Sequence, residues 1–338
     1  MLTDAQHNQL KPFCSVLSTV RQEDNEEEWL KARNNGVGGS EVGAICGVNN
    51  WSSGRQVYFR KIGQFQDETE PNAAAKDRMH FGHVLEPVVA QEFELRNPGL
   101  HCVEADCTFK SNQFPFLLAN VDRFVCDDSG DIVGILECKT ANEMMNDEWN
   151  AGEVPISYYY QVQHYMFITG IHRGWIACLV GGNKFYVYDI FFDEQLYTSV
   201  ILPALDHFWN NCVLKLKEPE LQAADDDFFS EIFTADKVDE EPVELDMSID
   251  SVLASIVDLK KQAKDLDKEI KAKQAIIKDK LGTHIKGNSP SFLVTWAPRT
   301  RTGIDSSKLR AEYPEVYEDC LSTTSYRQMG IKKVVEDD

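Results

Sequence analysis

Two carboxylates and one amine near the middle of the 338-residue chain have a spacing that suits hydrolytic chemistry. Asp122 ends the apolar run FLLANVD, and Glu137 and Lys139 follow in the run ILECK. Alternate residues of a β-strand face the same side, so Glu137 and Lys139 would point together. A hairpin between the two runs would bring Asp122 beside them, which gathers two acids and one amine at a single point.

Such a group can hold a divalent cation and activate a water molecule. Carboxylate oxygens, with the backbone carbonyl of Cys138, are the hard ligands that Mg²⁺ or Mn²⁺ prefers. Bound cations neutralise the charge that develops on phosphate oxygens when a phosphodiester is cut. Lys139 beside a metal would shift toward its neutral form and could orient or deprotonate the attacking water. The alternative is an exposed strand that carries an ordinary Glu137–Lys139 ion pair.

Other polar residues fall where the same site could use them. Glu86 is an acid in a helical stretch directly before Pro87, ahead of the strands. Tyr158, Gln161 and Tyr165 recur at steps of three and four residues, so they would share one face of the helix that follows the strands.

In order along the chain, these residues resemble the motifs of the phage λ-type alkaline exonucleases, which include the YqaJ-like viral recombinases of the PD-(D/E)xK nuclease superfamily. The resemblance covers about residues 26–200. It rests on Arg33 with GGSEVGAICG at 38–47, GxxxEP at 82–87, Asp122, the Glu-Cys-Lys run at 137–139, and the Gln-Val-Gln run at 161–163.

The resemblance implies a catalytic role for each matching residue. Asp122 and Glu137 resemble the metal ligands, together with the carbonyl of Cys138, and Lys139 resembles the catalytic lysine. Glu86 resembles an accessory acid that reaches the metals directly or through water. Two Mg²⁺ ions in each active site, with Mn²⁺ as a substitute, are the cofactors expected on this basis.

A second set of residues resembles a pocket that grips the 5′ phosphate of the strand being shortened. Arg33 and Ser40 would bind this phosphate, and Gln161 would close the pocket. The family can have a serine where Asn120 stands and a glycine where Arg123 stands, so Asn120 would offer a differently shaped donor and Arg123 an added phosphate contact. A guanidinium with hydroxyl and amide donors suits a terminal phosphate dianion better than an internal diester.

The activity implied is Mg²⁺-dependent 5′→3′ digestion of one strand from the ends of double-stranded DNA, which leaves a 3′ single strand for recombination. The resemblance also implies a homotrimer through which the DNA passes and a single-strand DNA annealing protein as partner. Two alternatives stay open. One is an endonuclease or helicase-associated nuclease on the same fold, and the other is a non-catalytic DNA-end-binding assembly protein.

Composition and charge limit the classes of function. With 43% hydrophobic and 26% charged residues, the chain has the balance of a globular protein. A net charge of −21 argues against a nucleic-acid coat protein or a binder of acidic membranes, so DNA would need a local basic channel or bound cations.

The chain shows no membrane or secretory signal, and a cytoplasmic location is expected. The start MLTDAQHNQL has neither a basic leader nor an apolar core, and polar residues interrupt the most apolar stretch, 158–180. Nine cysteines without a CxxC pair favour reduced thiols over a disulfide framework.

The order of predicted elements is typical of an α/β fold whose mixed central sheet is flanked by helices. The family resemblance implies that this sheet forms a restriction-endonuclease-like core. Helical segments are predicted within 26–62, over 73–96 with a kink at Pro87, over Ser157–Thr169 and from Asp193 to about Lys217. Strands are predicted at His101–Phe109, Leu117–Val125, Ile132–Lys139, Gly174–Val180 and Lys184–Phe192.

The sequence predicts three parts: an exonuclease domain at 1–217, an acidic linker at 218–247, and a C-terminal module of unknown role at 248–338. The stretch 218–246 contains twelve acidic residues against Lys237 alone. It reads as a solvated linker whose phenylalanines could dock on a neighbour.

The C-terminal module opens with a predicted long helix. Apolar residues at steps of three and four from Ile249 to Ile270, and again one heptad later at Ile277, form a heptad seam. A helix packed within its own chain and an intermolecular coiled coil both fit this pattern, and its lysines favour a solvated face over a DNA-binding arm. A small α+β extension follows, with a strand at Ser291–Trp296, a short helix near Ser306–Tyr313 and a final strand.

Overall fold

The computed structural model describes residues 1–20, 24–64, 73–235, 238–239 and 241–332. The predictions that concern Asp236, Lys237, Glu240 and residues 333–338 fall on residues outside these ranges. The chain divides into two compact units, Met1–Phe229 and the residues from Ser230 onward. Each is described by itself.

The first unit contains nine strands within the described residues. They are β1 Cys14–Ser18, β2 Val37–Gly38, β3 His101–Glu104, β4 Thr108–Ser111, β5 Leu117–Ala119, β6 Arg123–Cys126, β7 Ile132–Ala141, β8 Arg173–Val180 and β9 Lys184–Phe191.

Helices precede, separate and follow these strands. They are α1 Asp4–Leu10, α2 Glu26–Arg33, α3 Gly39–Ile45, α4 Gly54–Lys61, α5 Ala73–Arg96, α6 Asn146–Asn150, α7 Ile156–Thr169, α8 Glu194–Leu196 and α9 Leu202–His207, with α10 Asp225–Ile232 across the division between the units. π-Helical turns at Tyr197–Ile201 and Phe208–Val213 extend α8 and α9 into the helical run expected there. Helix α5 continues through Pro87 without a break.

The larger sheet has the strand order β3-β6-β7-β8-β9 and is mixed. β7 and β8 are parallel, and the other neighbours are antiparallel. A parallel pair needs a crossover, which the segment containing α7 provides. Leu136 and Cys138 of β7 pack with Phe93 of α5, whereas Ile135 belongs to the core cluster that includes Val162 of α7. The predicted mixed sheet flanked by helices is therefore confirmed.

Two predicted strands are each divided between two sheets. The smaller sheet has the order β1-β4-β5-β2, so β4 and β5 belong to it while β3 and β6 belong to the larger sheet. Asp106 turns the chain between β3 and β4 with a positive φ of 50°. Residues 120–122 lead from β5 to β6. Asp122 therefore lies in a break directly before β6, not at the end of the strand that was expected over Leu117–Val125.

The first part of the acidic stretch packs onto the first unit, which extends to Phe229. Asp225 is buried and accepts hydrogen bonds from the Ser53 hydroxyl and from the backbone N–H of Gln222, at 2.7 Å in the second case. Phe228 is also buried, with its ring 5.9 Å from that of Phe59. A partner for the carboxylate and an apolar site for the ring explain why these residues fold rather than remain solvated.

The second unit combines one long helix with small elements. These are α11 Ser248–Leu281, the hairpin of β10 Lys286–Asn288 and β11 Leu293–Thr295, α12 Ser306–Glu312 and α13 Pro314–Asp319. The expected strand at Ser291–Trp296 is therefore shorter and paired. No strand follows α13 up to residue 332, so the expected final strand is not found there. Among the described residues of this unit, Leu281 alone is buried.

Over the whole described chain, every helix is too short or too polar to span a bilayer.

Replacing Asp225 by Ala is expected to loosen the acidic stretch. The Ser53 hydroxyl and the Gln222 amide would lose their charged acceptor, which costs about 2 kcal/mol of the free energy of unfolding. Urea unfolding measures this loss, and limited proteolysis should show new cleavage within 218–229. Asp227→Ala, at an exposed position of the same helix, is the control. Equal unfolding curves for the two variants would contradict the assigned role of Asp225.

Candidate active site

The three residues singled out first in the sequence meet where β6 and β7 pair. Arg123 lies opposite Leu136 in this antiparallel register, which sets Asp122 near Glu137. Asp122 Oδ2 accepts a hydrogen bond of 2.8 Å from the Cys138 N–H. Glu137 Oε1 accepts one of 2.5 Å from Lys139 Nζ. The structure thus brings the two acids and the amine together as expected.

One oxygen of Glu137 has no hydrogen-bond partner. The side chain of Glu137 is 2% exposed, and its Oε1 accepts hydrogen bonds from Lys139 and from Gln161 Nε2, the latter at 2.6 Å. Its Oε2 is equally buried but accepts none in the described structure. A buried carboxylate oxygen without a partner carries a desolvation cost, so this atom marks a place where a cation would be favourable.

Glu86 reaches the same region from α5 through Arg123. Arg123 Nη1 donates to Glu86 Oε1 at 2.6 Å and to the Asp122 carbonyl at 2.5 Å, and it lies 3.7 Å from Glu104 Oε1. The Arg123 side chain is largely buried. In this structure the Arg123 guanidinium pairs with nearby acids, and the phosphate contact expected of it stays a prediction.

The three acids share more negative charge than their surroundings neutralise. Burial raises the pKa of Glu137 to about 8, and repulsion from Asp122 adds to this effect while Lys139 opposes it. Burial also raises the pKa of Glu86 to about 7, with repulsion from Asp122 in addition and with Arg123 in opposition. The pKa of Asp122 is raised by burial as well. A bound cation would relieve this crowding.

Lys139 keeps its proton in this arrangement. Burial lowers its pKa, but the carboxylates of Glu137 and Asp122 raise it by more, so the net shift is upward. Lys139 Nζ also lies 4.8 Å from the ring centroid of Tyr158, which stacks on Trp149. The neutral form was expected for a lysine beside a metal, whereas the carboxylates alone favour the ammonium.

The donor set fits a divalent cation, although its ligands are not already gathered around one point. Within the described part of the chain, no three His, Cys, Asp or Glu side chains form a ready metal cluster. Asp122 and Glu137 nevertheless offer hard oxygens, one of them unpaired, in a site with excess negative charge. The Cys138 thiol packs toward α5, so its carbonyl stays the predicted ligand.

The residues expected to bind a 5′ phosphate lie at the facing ends of two helices. Arg33 ends α2, and Ser40 lies in the first turn of α3. Arg33 Nη2 donates to Ser40 Oγ at 2.7 Å, and the guanidinium lies 4.6 Å from the ring centroid of Trp29. Ser40 is exposed and Arg33 half-buried, so both can meet a ligand from solvent.

A chain of contacts connects this pair to the carboxylates. The backbone of Gly39, next to Ser40, packs against the Tyr165 ring so closely that an added Cβ would lie 2.3 Å from it. The Tyr165 hydroxyl accepts from Gln161 Nε2 at 3.0 Å, and the same nitrogen donates to Glu137. Gln161 therefore bridges the two expected sites.

Asn120 is engaged elsewhere. Its Nδ2 donates to Thr108 Oγ1 at 2.8 Å, which ties the break after β5 to β4. The described contacts do not join Asn120 to Arg33 or Ser40, and its part in phosphate binding stays a prediction.

Sequence reasoning missed Lys61. Its Nζ donates to Glu41 Oε1 at 2.8 Å and to the Arg33 carbonyl at 2.9 Å, and its side chain is 1% exposed. No local pattern signals these contacts, because they join residues 20 to 28 positions apart in the chain.

Comparison with known proteins yields a family and several relatives. A family model described as the YqaJ-like viral recombinase domain matches residues 28–172. The chain is 31% identical over 316 residues to the uncharacterized protein YqaJ of Bacillus subtilis (strain 168), covering 92% of this chain and 96% of that protein.

Two solved structures are also similar in part. The alkaline exonuclease LHK-Exo from Laribacter hongkongensis is 23% identical to this chain. The match covers 56% of this chain and 94% of the LHK-Exo chain, with a TM-score of 0.46. A phage related exonuclease from Haemophilus somnus 129PT is 15% identical, covers 54% of this chain and 99% of its own, and has a TM-score of 0.40.

Replacing Asp122 by Asn is expected to stabilise the cation-free protein. The variant keeps an acceptor for the Cys138 N–H but removes the buried carboxylate that repels Glu86 and Glu137, for a gain of about 1 kcal/mol. Because folding raises the pKa of Asp122, the ionised form is disfavoured, and the gain should be larger at pH 7.5 than near pH 4. Urea unfolding in EDTA measures it, with the exposed Asp147→Asn as control. An Asp122→Asn protein that is less stable than wild type at pH 7.5 would contradict the repulsion inferred among the three acids.

Proposed function

This chain belongs to the YqaJ-like viral recombinase family, and from that premise we propose that it is a nuclease acting on DNA, a metal-dependent 5′→3′ exonuclease. It would degrade one strand of a duplex from its end and leave a 3′ single strand for strand annealing. All residues of the site lie within the matched range 28–172. The observation that carries the proposal is the buried Glu137 carboxylate, with its unpaired oxygen, beside Asp122 and Lys139.

In the proposed mechanism, cations neutralise charge on the phosphate, and the protein positions the cations, the water and the DNA strand. Bound Mg²⁺ or Mn²⁺, two ions in each site, would supply a more acidic water and neutralise phosphate charge. Asp122 and Glu137 would hold them, with Glu86 in support. Lys139 keeps its proton at Nζ and can donate a hydrogen bond to the attacking water or to a phosphate oxygen. The Tyr158 ring limits where this ammonium can move.

The proposed direction of digestion follows from the Arg33–Ser40 pair. A guanidinium and a hydroxyl together favour the dianion of a terminal phosphate over the single charge of an internal diester. Gly39, Tyr165 and Gln161 link this pair to Glu137 by direct contacts. A strand held by its 5′ phosphate would therefore present a nearby phosphodiester to the carboxylates.

The proposal includes the assembly that the family resemblance implies. Double-stranded DNA ends are the substrate, a homotrimer is the working form, and a single-strand DNA annealing protein is the partner. The net charge of −21 supports a restricted DNA path, because DNA would be repelled except where local cations or basic residues face it.

The first test compares linear with closed circular duplex DNA in Mg²⁺. We expect nucleotide release from linear DNA, none from circles, and none in EDTA. Glu137→Gln and Lys139→Ala should each lower the rate by at least about 100-fold while the fold is kept. Glu143→Gln and Lys184→Met, which disrupt an exposed ion pair on the same unit, are the matched controls.

Each contrary result points to a different alternative. Digestion of closed circles would favour an endonuclease. Binding of DNA ends without any nucleotide release would favour a non-catalytic assembly protein. Full activity in either Glu137→Gln or Lys139→Ala would refute the proposed site.

The second test concerns the 5′ phosphate. Wild-type protein should digest 5′-phosphorylated ends faster than 5′-hydroxyl ends, and Arg33→Ala should lose roughly tenfold or more on phosphorylated ends, since it removes a charge-assisted hydrogen bond. Ser40→Ala should lose less. Lys31→Ala removes an exposed charge from the same helix and serves as control. An unchanged preference in Arg33→Ala would refute the assigned pocket.

A further inference from the structure

Lys61 is a buried lysine to which the proposed reaction gives no role. Its ammonium group donates to Glu41 Oε1 and to the Arg33 carbonyl, at 2.8 and 2.9 Å. Burial lowers the pKa of Lys61, and Glu41 opposes this shift. Burying an ion pair is weak evidence for stability, since apolar residues of similar volume often serve equally well. A role in fixing geometry is the better explanation.

The contacts of Lys61 close a ring around the Arg33–Ser40 pair. Arg33 Nη2 donates to Ser40 Oγ, and the backbone of Ser40 continues through Gly39 to Gly38. The Gly38 N–H donates to Glu41 Oε2 at 2.8 Å. The other carboxylate oxygen of Glu41 accepts from Lys61, which returns to the Arg33 carbonyl.

The ring joins the ends of three helices, the second and third of which also pack on each other. Arg33 ends α2, and its carbonyl is among the last four of that helix, which have no partner within the helix. Glu41 lies in the first turn of α3, where it caps Gly38. Lys61 is the last residue of α4. One ammonium therefore bridges the end of α2 and the start of α3.

We infer that Lys61 is a positioning residue, which holds the Arg33 guanidinium and the Ser40 hydroxyl at the spacing that a terminal phosphate dianion requires. This inference rests on the proposed function, which places the 5′ phosphate on that pair. With 1% of its side chain exposed, Lys61 acts through its neighbours and does not touch DNA. Without it, the ends of α2 and α3 can separate, and discrimination between phosphate and hydroxyl ends is lost.

The test measures binding in EDTA, where no digestion occurs. Fluorescence anisotropy gives the affinity of each protein for duplexes with one free end that carries a 5′ phosphate or a 5′ hydroxyl. Lys61→Met removes the ammonium, and Lys61→Met with Glu41→Gln avoids leaving the half-buried Glu41 carboxylate without its ion pair. Lys184→Met, at an exposed position of the same unit, is the control.

We expect wild-type protein and Lys184→Met to prefer the phosphorylated end by about tenfold. Both Lys61 variants should bind the two ends within about threefold of each other. In digestion assays they should show a raised KM for phosphorylated ends with kcat kept. A loss of folded protein alone would lower binding to both ends equally and leave the preference intact.

The outcomes separate this inference from the proposed function. If the double variant stays folded and keeps the wild-type preference, the positioning role of Lys61 is overturned while the phosphate pocket stands. If wild-type protein shows no preference and Arg33→Ala changes nothing, the pocket itself is overturned, and the role of Lys61 with it.

Discussion

The crowding of buried carboxylates is the constraint on which the candidate site depends. Glu137 is held on a central strand with one oxygen unpaired, and Asp122 and Glu86 lie close enough to raise its pKa. Lys139 and Arg123 offset this charge only in part. A fold keeps such an arrangement at a cost in free energy, which a bound cation can recover. The rigid sheet supplies the support, because a flexible loop would let the acids separate.

The sequence predicted well those elements whose signal is local. The predicted strands at Ile132–Lys139, Gly174–Val180 and Lys184–Phe192 and the helix at Ser157–Thr169 agree with the structure to within two residues at each end. Alternation along β7 was enough to place Glu137 and Lys139 together. The pairing of distant strands was harder to predict from the sequence. The apolar run 117–125 contributes a strand to each of two sheets, and no residue pattern within it indicates where the first strand ends. Arg123 pairs with Glu86 and Lys61 with Glu41, although these acids lie 37 and 20 positions away in the chain.

The smaller sheet couples the expected phosphate pocket to the expected metal site. β2 lies directly before α3, the helix whose first turn contains Ser40. It pairs in parallel with β5, with Val37 opposite Leu117. β5 then leads within three residues to Asp122. The two halves of the site are therefore joined twice, by this backbone route and by the side chains of Tyr165 and Gln161. Such double support suits the proposed reaction, in which the distance between a bound 5′ phosphate and the bond to be cut is fixed.

The segment that connects β5 to β6 has a length that the two sheets fix. Residues 120–122 cross from one sheet to the other between strands whose registers are both fixed. One codon added or removed there would either carry the aspartate away from its backbone donor or slip β6 by a residue and reverse which side chains enter the core. Natural relatives and engineered libraries should thus rarely carry insertions or deletions in this segment, whereas the exposed turn at 127–131 should tolerate changes of length more readily.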